Sequence, residues 1–503
     1  MAVNNLVKSL QNIMRSDAGV NGDAQRIEQM VWMFFLKVYD AQELDWECED
    51  ENYQSIIPEQ YRWRNWAPSR DENGQKVATA LTGDELLRMV NDMFDALKNL
   101  PVTEHTKRGQ SIVRDVFSEV NQYMKNGVLL RQMIDKVDEI DFTDSQDIHA
   151  FGDIYESLLK DLQGAGHAGE FYTPRALTDL IIEMLDPRIG QAVGDFAMGT
   201  GGFLTSALHH LQPQQKDDDD VERFQHSVIG QEWKPFPYLL AVTNLFLHGI
   251  KEPNVLHGDS LARNVRELKE SDKVDVIAMN PPYGGATEAS VKGNFPQDMR
   301  SSETADLFLV LIMYRLRERG RAGVIVPDGF LFGTDGAKLA IKQKMLRDFN
   351  LHTIIRLPGS IFSPYTSIAT NILFFNNEQA EGAPEGYKTN CTWFYRLDMP
   401  EGYKHFSKTR PMLSQHCQPI RDWWHDRHEI VSEDGDEKSR CFTAQQLIDL
   451  SCNFDQCKFP KEEEEILPPD ELLRQYHERR NSLDAEIDRT LIEIQKLLDI
   501  KFE

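Results

Sequence analysis

The chain has 503 residues, and its 55 basic against 81 acidic side chains give a formal net charge of −26. This excess of acid excludes a histone-like protein that grips nucleic acid through basic tails. The hydrophobic content of 41% excludes intrinsic disorder and suffices for two or three domains. No apolar run approaches the roughly 20 residues of a membrane helix, and no secretory signal is visible, so a cytoplasmic protein with no membrane partner is expected. The six scattered cysteines predict neither disulfides nor a zinc site.

The first region, residues 1–143, has the periodicity of helices. Apolar residues recur every three or four positions in 6–14 and again in 26–40, which predicts an all-helical N-terminal domain. The aromatic and basic run 61–66 has two interpretations: ring faces and arginines that bind nucleic acid, or a buried tryptophan loop with its arginines in water. The second interpretation is favoured because aromatic residues are more often buried than functional.

The second region, residues 144–455, alternates short apolar runs with helical stretches. Strands are predicted at 192–196, 227–230, 274–279, 322–327, 353–357 and 371–375, and helices at 203–211 and 238–247. This alternation predicts a doubly wound, Rossmann-like α/β domain, with a mostly parallel sheet and helices on both faces. The acidic run 217–220 is expected to be a solvated loop between a helix and a strand.

The third region, residues 456–503, ends in an amphipathic helix. Its single apolar stripe is made of Leu483, Ile487, Leu491, Ile494 and Leu498. A C-terminal helix of this kind packs either on its own domain or on a helix of a partner, and the sequence leaves both open.

The strongest chemical signal is the run Asn280-Pro281-Pro282-Tyr283, directly after the predicted strand 274–279. Doubly wound sheets bind ligands at the carboxyl ends of strands, and two prolines keep the backbone there extended. An asparagine amide oxygen and the following carbonyl oxygen together accept both protons of one NH₂ group, which leaves its lone pair free for attack, while the tyrosine ring offers a stacking face. The run therefore suits alkylation of an amide-like nitrogen; the alternative is a proline-rich turn that only closes the strand.

Three features upstream form a candidate ligand site. A glycine-rich turn begins at Asp195, although alone it is weak evidence because glycines serve any tight turn. The next predicted strand ends at Glu232, whose carboxylate can take both hydroxyls of a ribose, and a third ends at Asp259, which can accept an adenine amino proton. Each acid alone is more commonly a surface residue, but in this order before the 280–283 run they favour ligand roles.

Together with residues 169–175, these segments resemble motifs X, I, II, III and IV of the γ-class N6-adenine DNA methyltransferases. The whole chain, with its helical start and C-terminal helix, is similar to the modification subunit of type I restriction-modification systems. The resemblance implies S-adenosylmethionine as cofactor and no metal. The residues that it assigns to cofactor binding are Glu170, Phe171, Tyr172, Thr173, Pro174, Arg175, Asp195, Ala197, Gly199, Thr200, Gly201, Gly202, Glu232 and Asp259.

The resemblance also implies the reaction, which is methyl transfer to N6 of an adenine that has left the duplex stack. The catalytic residues on this basis are Asn280, Pro281, Pro282 and Tyr283, with the first two holding the target amine and the tyrosine stacking on the base. The base pocket is completed, on the same resemblance, by the segment 320–332 with Asp328, and by Phe362 and Tyr365.

The partners implied by the resemblance are DNA, a specificity subunit that reads the target, and, in the restricting form, endonuclease subunits. Two modification subunits per specificity subunit are implied as well. The net charge of −26 agrees with a separate DNA-reading subunit, because phosphate binding relies on Lys and Arg. The basic segment 403–410 either contacts DNA or is a solvated loop.

Two other functions remain open on the sequence. Enzymes that methylate glutamine side chains at N5 in proteins use the same pair of carbonyl oxygens on an amide nitrogen, and an acidic chain suits them. The second alternative is a non-catalytic scaffold in a defence complex. The long helical N-terminal region and the position of residues 169–175 ahead of the glycine turn favour the DNA methyltransferase.

Overall fold

The computed structural model describes residues 4–70, 73–78, 80–103, 106, 108–142, 151–152, 155–160, 172–283, 288–334, 336–460 and 469–498. The chain divides into two compact units, Met1–Lys458 and Phe459–Glu503. Within the described ranges, no helix combines the length and the apolar character needed to cross a membrane.

The larger unit begins with helices, as predicted. These are α1 (Asn4–Arg15), α2 (Gly22–Glu49), α3 (Trp63–Trp66), α4 (Gly83–Lys98), α5 (Arg108–Phe117) and α6 (Gly127–Asp138). Helix α2 is buried over nearly all of its middle, from Met30 to Leu36, and the other helices pack around it. A helix that is apolar on all sides belongs in the centre of such a bundle.

The tryptophan-rich run around α3 is held inside this helical region. Trp63 is buried, and its Nε1 donates a hydrogen bond to Asp138 Oδ1 at 2.8 Å. Arg62 and Arg64 form ion pairs with Glu47 on α2, at 2.9 and 2.8 Å. The expectation that these arginines lie in water was therefore wrong: acidic residues of α2 pair with them, and the buried ring presents no face to a nucleic-acid base.

A ten-stranded sheet follows. Its strands are β1 (Val193–Asp195), β2 (Val228–Glu232), β3 (Asn254–His257), β4 (Val274–Met279), β5 (Leu316–Pro327), β6 (Asn350–Arg356), β7 (Thr370–Asn376), β8 (Cys391–Arg396), β9 (Ile430–Val431) and β10 (Glu437–Thr443). Their order is β3-β2-β1-β4-β5-β7-β6-β8-β10-β9. The strands from β3 to β5 pair in parallel, whereas β7 runs antiparallel between β5 and β6. Strand β10 also runs antiparallel to its neighbours β8 and β9. The predicted doubly wound α/β class is confirmed, with antiparallel strands at β7 and β10.

Helices cover the sheet and connect its strands. They are α7 (Arg175–Leu185), α8 (Gly202–Leu211), α9 (Asp218–Gln225), α10 (Pro235–Leu247), α11 (Ala289–Lys292), α12 (Thr304–Arg315), α13 (Asp328–Phe332), α14 (Gly336–Asp348), α15 (Gln418–His425) and α16 (Ala444–Asp449). The acidic run expected to be a loop is instead the start of α9. Asp217 caps this helix by accepting a hydrogen bond from the Asp220 N–H at 2.9 Å. The prediction was wrong because acidic side chains suit the N-terminus of a helix as well as a loop.

The order of the strands reverses between β1 and β4. The chain runs outward through β1, β2 and β3 and then returns to place β4 on the other side of β1. In an open α/β sheet such a reversal leaves a crevice at the carboxyl ends of the strands, where ligands bind. Asp195 and Glu232 end β1 and β2, and Asn280 directly follows β4, so these predicted site residues meet at the crevice.

The helical region and the sheet share a continuous apolar core. The rings of Phe35 and Tyr39 on α2 lie 6.2 and 6.1 Å from the ring of Phe246 on α10, measured between centroids. All residues of α10 from Pro237 to Leu247 are buried. The predicted boundary near residue 143 therefore divides a single core within the larger unit.

The smaller unit contains the long helix α17 (Pro469–Leu498). Three residues of the predicted apolar stripe, Leu483, Ile487 and Leu491, are about half exposed, at 51%, 55% and 50%. The side chains of the other two, Ile494 and Leu498, lie outside the described residues. The described part of the stripe is thus an exposed apolar surface.

Candidate active site

A cavity of about 620 Å³ opens at the carboxyl ends of β1, β2 and β4, within the size range of small-molecule sites. The predicted residues that line it are Tyr172, Thr173, Asp195, Ala197, Gly199, Thr200, Gly202, Glu232, Asp259, Asn280, Pro281, Pro282 and Tyr283. Three predicted residues, Pro174, Arg175 and Gly201, lie outside this lining. Glu170 and Phe171 lie outside the described residues.

The glycine turn leads the chain from β1 into α8. Gly199 and Gly201 have φ angles of 53° and 79°, a backbone conformation that other residues rarely adopt. The Gly199 N–H donates to Glu232 Oε2 at 2.9 Å, and the Lys234 N–H donates to Oε1 of the same carboxylate at 2.8 Å. Glu232 therefore fixes the glycine turn while it also lines the cavity.

The strand ends give the cavity an acidic side. Asp195 is 1% exposed, and its Oδ1 accepts a hydrogen bond from the Ala197 N–H at 3.1 Å. Burial raises the pKa of Asp195 well above its usual value, and the neighbouring Glu232 raises it further. Burial raises the pKa of Glu232 as well. A cationic ligand suits such a site, because positive charge stabilises the ionised form of both acids.

Asp259 follows β3 at the edge of the same cavity. Its Oδ1 accepts a hydrogen bond from the Leu261 N–H at 2.9 Å, which fixes the orientation of the carboxyl group. The next residue, Ser260, donates its hydroxyl to the Phe196 carbonyl oxygen at 2.6 Å and so ties the segment to the end of β1. The third predicted acid is thereby held beside the first two.

The Asn280–Tyr283 run forms the other side of the cavity. The Asn280 Nδ2 donates to Thr173 Oγ1 at 3.1 Å, and the Tyr283 hydroxyl donates to Asn280 Oδ1. Burial raises the pKa of Tyr283 far above its usual value, so its hydroxyl is protonated at neutral pH. The Tyr283 ring meets Phe362 edge to face, with centroids 6.2 Å apart. Tyr365 adds a third aromatic ring to the lining. This side of the cavity thus combines an oriented amide with aromatic surfaces.

The segment 320–332, expected to complete the base pocket, contributes none of the described lining residues. Asp328 instead accepts a hydrogen bond from Asn371 Nδ2 at 2.6 Å and forms an ion pair with Arg356 at 3.3 Å. Its contacts therefore connect α13 to the neighbouring strands β6 and β7.

Several lining residues were absent from the prediction. Trp233 directly follows Glu232, lines the cavity and is 66% exposed. Its location just after the end of a strand could have indicated this role. Thr304 and Phe308 come from α12, whose sequence is apolar almost throughout. Nothing in that pattern distinguishes a residue that faces the cavity from one in the core.

Comparisons with protein-family models identify the family of the chain. The family model described as N-6 DNA Methylase matches residues 146–465, and the one described as HsdM N-terminal domain matches residues 3–137. The chain therefore belongs to the N-6 DNA methylase family.

Within that family, the chain groups with the methylase subunits of type I restriction enzymes. The EcoEI methylase subunit of Escherichia coli is 44% identical over 481 residues, which are 95% of this chain and 94% of the relative. The modification subunit of a putative type I restriction enzyme from Vibrio vulnificus YJ016 superposes with a TM-score of 0.73 at 38% identity, covering 89% of this chain and 93% of that one. A third similar chain comes from a structural study of complex assembly and conformational transition in the type I R-M system. It superposes with a TM-score of 0.78 at 31% identity, covering 99% of both chains.

These comparisons confirm the predicted family, the fold class and the activity as an adenine-specific DNA methyltransferase. The protein-glutamine methyltransferase and the non-catalytic scaffold are not favoured by any of the relatives described above.

Proposed function

We propose that this chain methylates N6 of a flipped adenine in DNA, with S-adenosylmethionine as methyl donor, as the modification subunit of a type I complex. The target sequence is read by a separate specificity subunit. The observation that carries this proposal is one cavity with buried acids on one side and the Asn280–Tyr283 run on the other.

The cavity residues fit the proposed cofactor, which when bound supplies an electrophilic methyl group on a cationic sulfonium. Asp195 and Glu232, with their raised pKa values, suit its positive charge. Glu232 and Asp259 offer carboxylate acceptors for ribose hydroxyls and an adenine amino group. Glu170 and Phe171 belong to the proposed cofactor set on the resemblance alone.

On the opposite side, Asn280 and Pro281 hold the target amine. The Asn280 amide oxygen and the Pro281 carbonyl oxygen accept its two protons, so that the nitrogen lone pair remains available. Thr173 accepts a hydrogen bond from Asn280 Nδ2 and thereby keeps the amide oxygen on the side of Tyr283. The rings of Tyr283 and Phe362 supply apolar surfaces for a base outside the stack.

The proposed partners are DNA, the specificity subunit and, in the restricting form, the endonuclease subunit. Two copies of this chain per specificity subunit are proposed, with a cytoplasmic location where chromosomal DNA is the substrate. The half-exposed stripe of α17 is the proposed contact with the specificity subunit, since apolar stripes of this kind pair with other helices. The division into segments 1–143, 144–455 and 456–503 is retained as the proposed assignment of helical, catalytic and assembly roles.

Single-molecule sequencing for N6-methyladenine tests the proposed reaction. Cells that carry this chain with its genomic neighbours are compared with the same cells bearing Asn280→Ala. We expect methylation at one interrupted motif that disappears in the variant. Identical marks in both genomes would overturn the proposal.

Co-purification tests the proposed subunit contact. Leu483→Glu with Ile487→Glu places two charges on the exposed stripe of the full-length chain, and we expect the specificity subunit to be lost. Glu486→Gln lies between them and serves as the matched control. An undiminished complex with the double variant would contradict this role of α17.

A further inference from the structure

Arg175, the first residue of α7, is not among the residues that line the cavity, although Tyr172 and Thr173 are. Its guanidinium forms a two-point ion pair with Glu156, in which Nε donates to Oε2 at 2.5 Å and Nη2 donates to Oε1. Burial opposes both charges, but their mutual attraction outweighs it, so the pKa of Glu156 is lowered and that of Arg175 is raised. Both side chains are therefore ionised and hold each other in place at neutral pH.

Asn244 on α10 connects this ion pair to the glycine turn. Its Nδ2 donates to Glu156 Oε1 at 3.2 Å and to the Thr200 carbonyl oxygen at 3.1 Å, and the residue is fully buried. Tyr155, which precedes Glu156, donates its hydroxyl to the Leu240 carbonyl oxygen of the same helix at 3.1 Å. The helical segment 155–160 is thus joined to α10 at two successive residues.

Gly202 brings the guanidinium against the same turn. A Cβ atom at this position would lie 2.5 Å from Arg175 Nη1, which is closer than real Cβ contacts. Nη1 is buried and has no hydrogen-bond partner among the described residues, so it meets the turn by packing. A side chain at this position would push the guanidinium away from Glu156, so Gly202 allows the ion pair to pack against the start of α8.

We infer that Glu156 is a positioning residue for the cofactor turn. Neither Glu156 nor Asn244 lines the 620 Å³ cavity, yet through Arg175 and Asn244 the carboxylate fixes Thr200 and Gly202, which do line it. The segment that carries Glu156 lies outside the glycine turn and the acidic strand ends, so this role is separate from theirs. The inference rests on the proposed function, because it identifies what holds the turn on which cofactor binding depends.

Asn244→Ala in the full-length chain is the direct test. It breaks the connection to Thr200 and leaves the ion pair intact. We expect the Kd for S-adenosylmethionine, titrated calorimetrically without DNA, to rise about tenfold, since a hydrogen bond to a charged group and one to a carbonyl are lost. In methyl-transfer assays the KM for S-adenosylmethionine should rise by a similar factor, with kcat at saturation within about twofold of wild type.

Thr392→Val is the control. Thr392 on β8 is fully buried, and its hydroxyl donates to the Leu351 carbonyl oxygen on β6 at 2.6 Å. The variant removes one buried hydrogen bond without touching the turn, the ion pair or Tyr155. Its affinity and KM should match those of the wild-type chain.

Glu156→Asp provides a second variant in case Asn244→Ala fails to fold. The shorter side chain keeps its charge beside Arg175 but withdraws its oxygens from Asn244, and a several-fold rise in Kd with unchanged kcat is expected. Wild-type affinity in the folded variants would overturn the inference, as would an equal loss of kcat and affinity. If the wild-type chain itself fails to bind S-adenosylmethionine, the proposed function is what fails.

Discussion

Asn280→Ala separates the chemistry of this site from its stability. The Asn280 side chain accepts a hydrogen bond from the Tyr283 hydroxyl and donates one to Thr173 Oγ1 at 3.1 Å. Its removal leaves the Tyr283 hydroxyl, which is partly buried, without this acceptor, and an orphaned polar group of this kind costs about 1–3 kcal/mol. We therefore expect the free energy of unfolding to fall by about 2 kcal/mol.

The catalytic loss should be larger and independent of that destabilisation. Removal of one preorganised hydrogen-bonding group at a reacting centre lowers kcat about 10²- to 10³-fold. The double variant Asn280→Ala/Tyr283→Phe also removes the orphaned hydroxyl, so most of the lost stability should return while methyl transfer does not. S-adenosylmethionine affinity should stay within about twofold of wild type, because the acids at the ends of β1, β2 and β3 are untouched.

The assay is transfer of a radiolabelled methyl group to a target duplex by the purified complex, alongside urea unfolding and calorimetric titration of the cofactor. Asn377→Ala is the control. The Asn377 Nδ2 donates to the Arg317 carbonyl oxygen at 3.1 Å, and neither residue lines the cavity. A kcat for Asn280→Ala within a few-fold of wild type would refute the role given to Asn280. A parallel loss of affinity and rate would instead assign this residue to cofactor binding.

Three further substitutions probe an acid of the cavity, the glycine turn and a partly buried histidine. Because the pKa values of Asp195 and Glu232 are both raised, binding of a cationic cofactor should release protons and weaken as pH falls. Asp195→Asn should reduce the number of protons released, measured by calorimetric titration in two buffers of different ionisation enthalpy, and equal proton release by both chains would contradict the role of Asp195. Gly202→Ala should weaken cofactor binding about tenfold, because the added Cβ would meet Arg175 Nη1 at 2.5 Å. Gly152→Ala is the control, since a Cβ there would meet nothing within 4 Å, and equal affinities of the two variants would contradict the packing argument. Burial lowers the pKa of His248 to about 4 from 6.5, so the unfolded chain takes up a proton first, and stability present above pH 6.5 is lost between pH 6.5 and 4. Between pH 7 and pH 5, the free energy of unfolding measured with urea should fall by about 1–2 kcal/mol less in His248→Gln than in the wild-type chain. An equal fall in both chains would contradict this role of His248.

The acidic side of the cavity was predictable because its signals are local. Asp195, Glu232 and Asp259 each lie at or just beyond the end of an apolar strand, and parallel strands bring such ends to one edge of the sheet. Phe308 has no comparable signal, because the sequence of α12 would read the same if every residue were in the core. Arg175 shows a related limit, since its position beside Thr173 does not reveal that its side chain turns toward Glu156.

The strands were predictable as segments but not as a complete sheet. The predicted runs lie close to the observed bounds of β1, β2, β4, β6 and β7, whereas β5 begins at Leu316, ahead of the predicted start at residue 322. The antiparallel direction of β7 and the addition of β8, β10 and β9 depend on pairing between distant segments, for which a local apolar run carries no information. The start of α9 was missed for a chemical reason, because Asp217 can either end a loop or cap a helix.

The contact of Phe35 and Tyr39 with Phe246 constrains how such a chain can be recombined. The two family models meet near residue 143, which makes that point attractive for joining the first part of one relative to the second part of another. A hybrid cut there inherits α2 from one parent and α10 from the other, so the facing rings match only where both parents carry side chains of the same size and shape. Because tightly packed interiors tolerate such mismatches poorly, a successful graft must transfer the facing surfaces of both helices together.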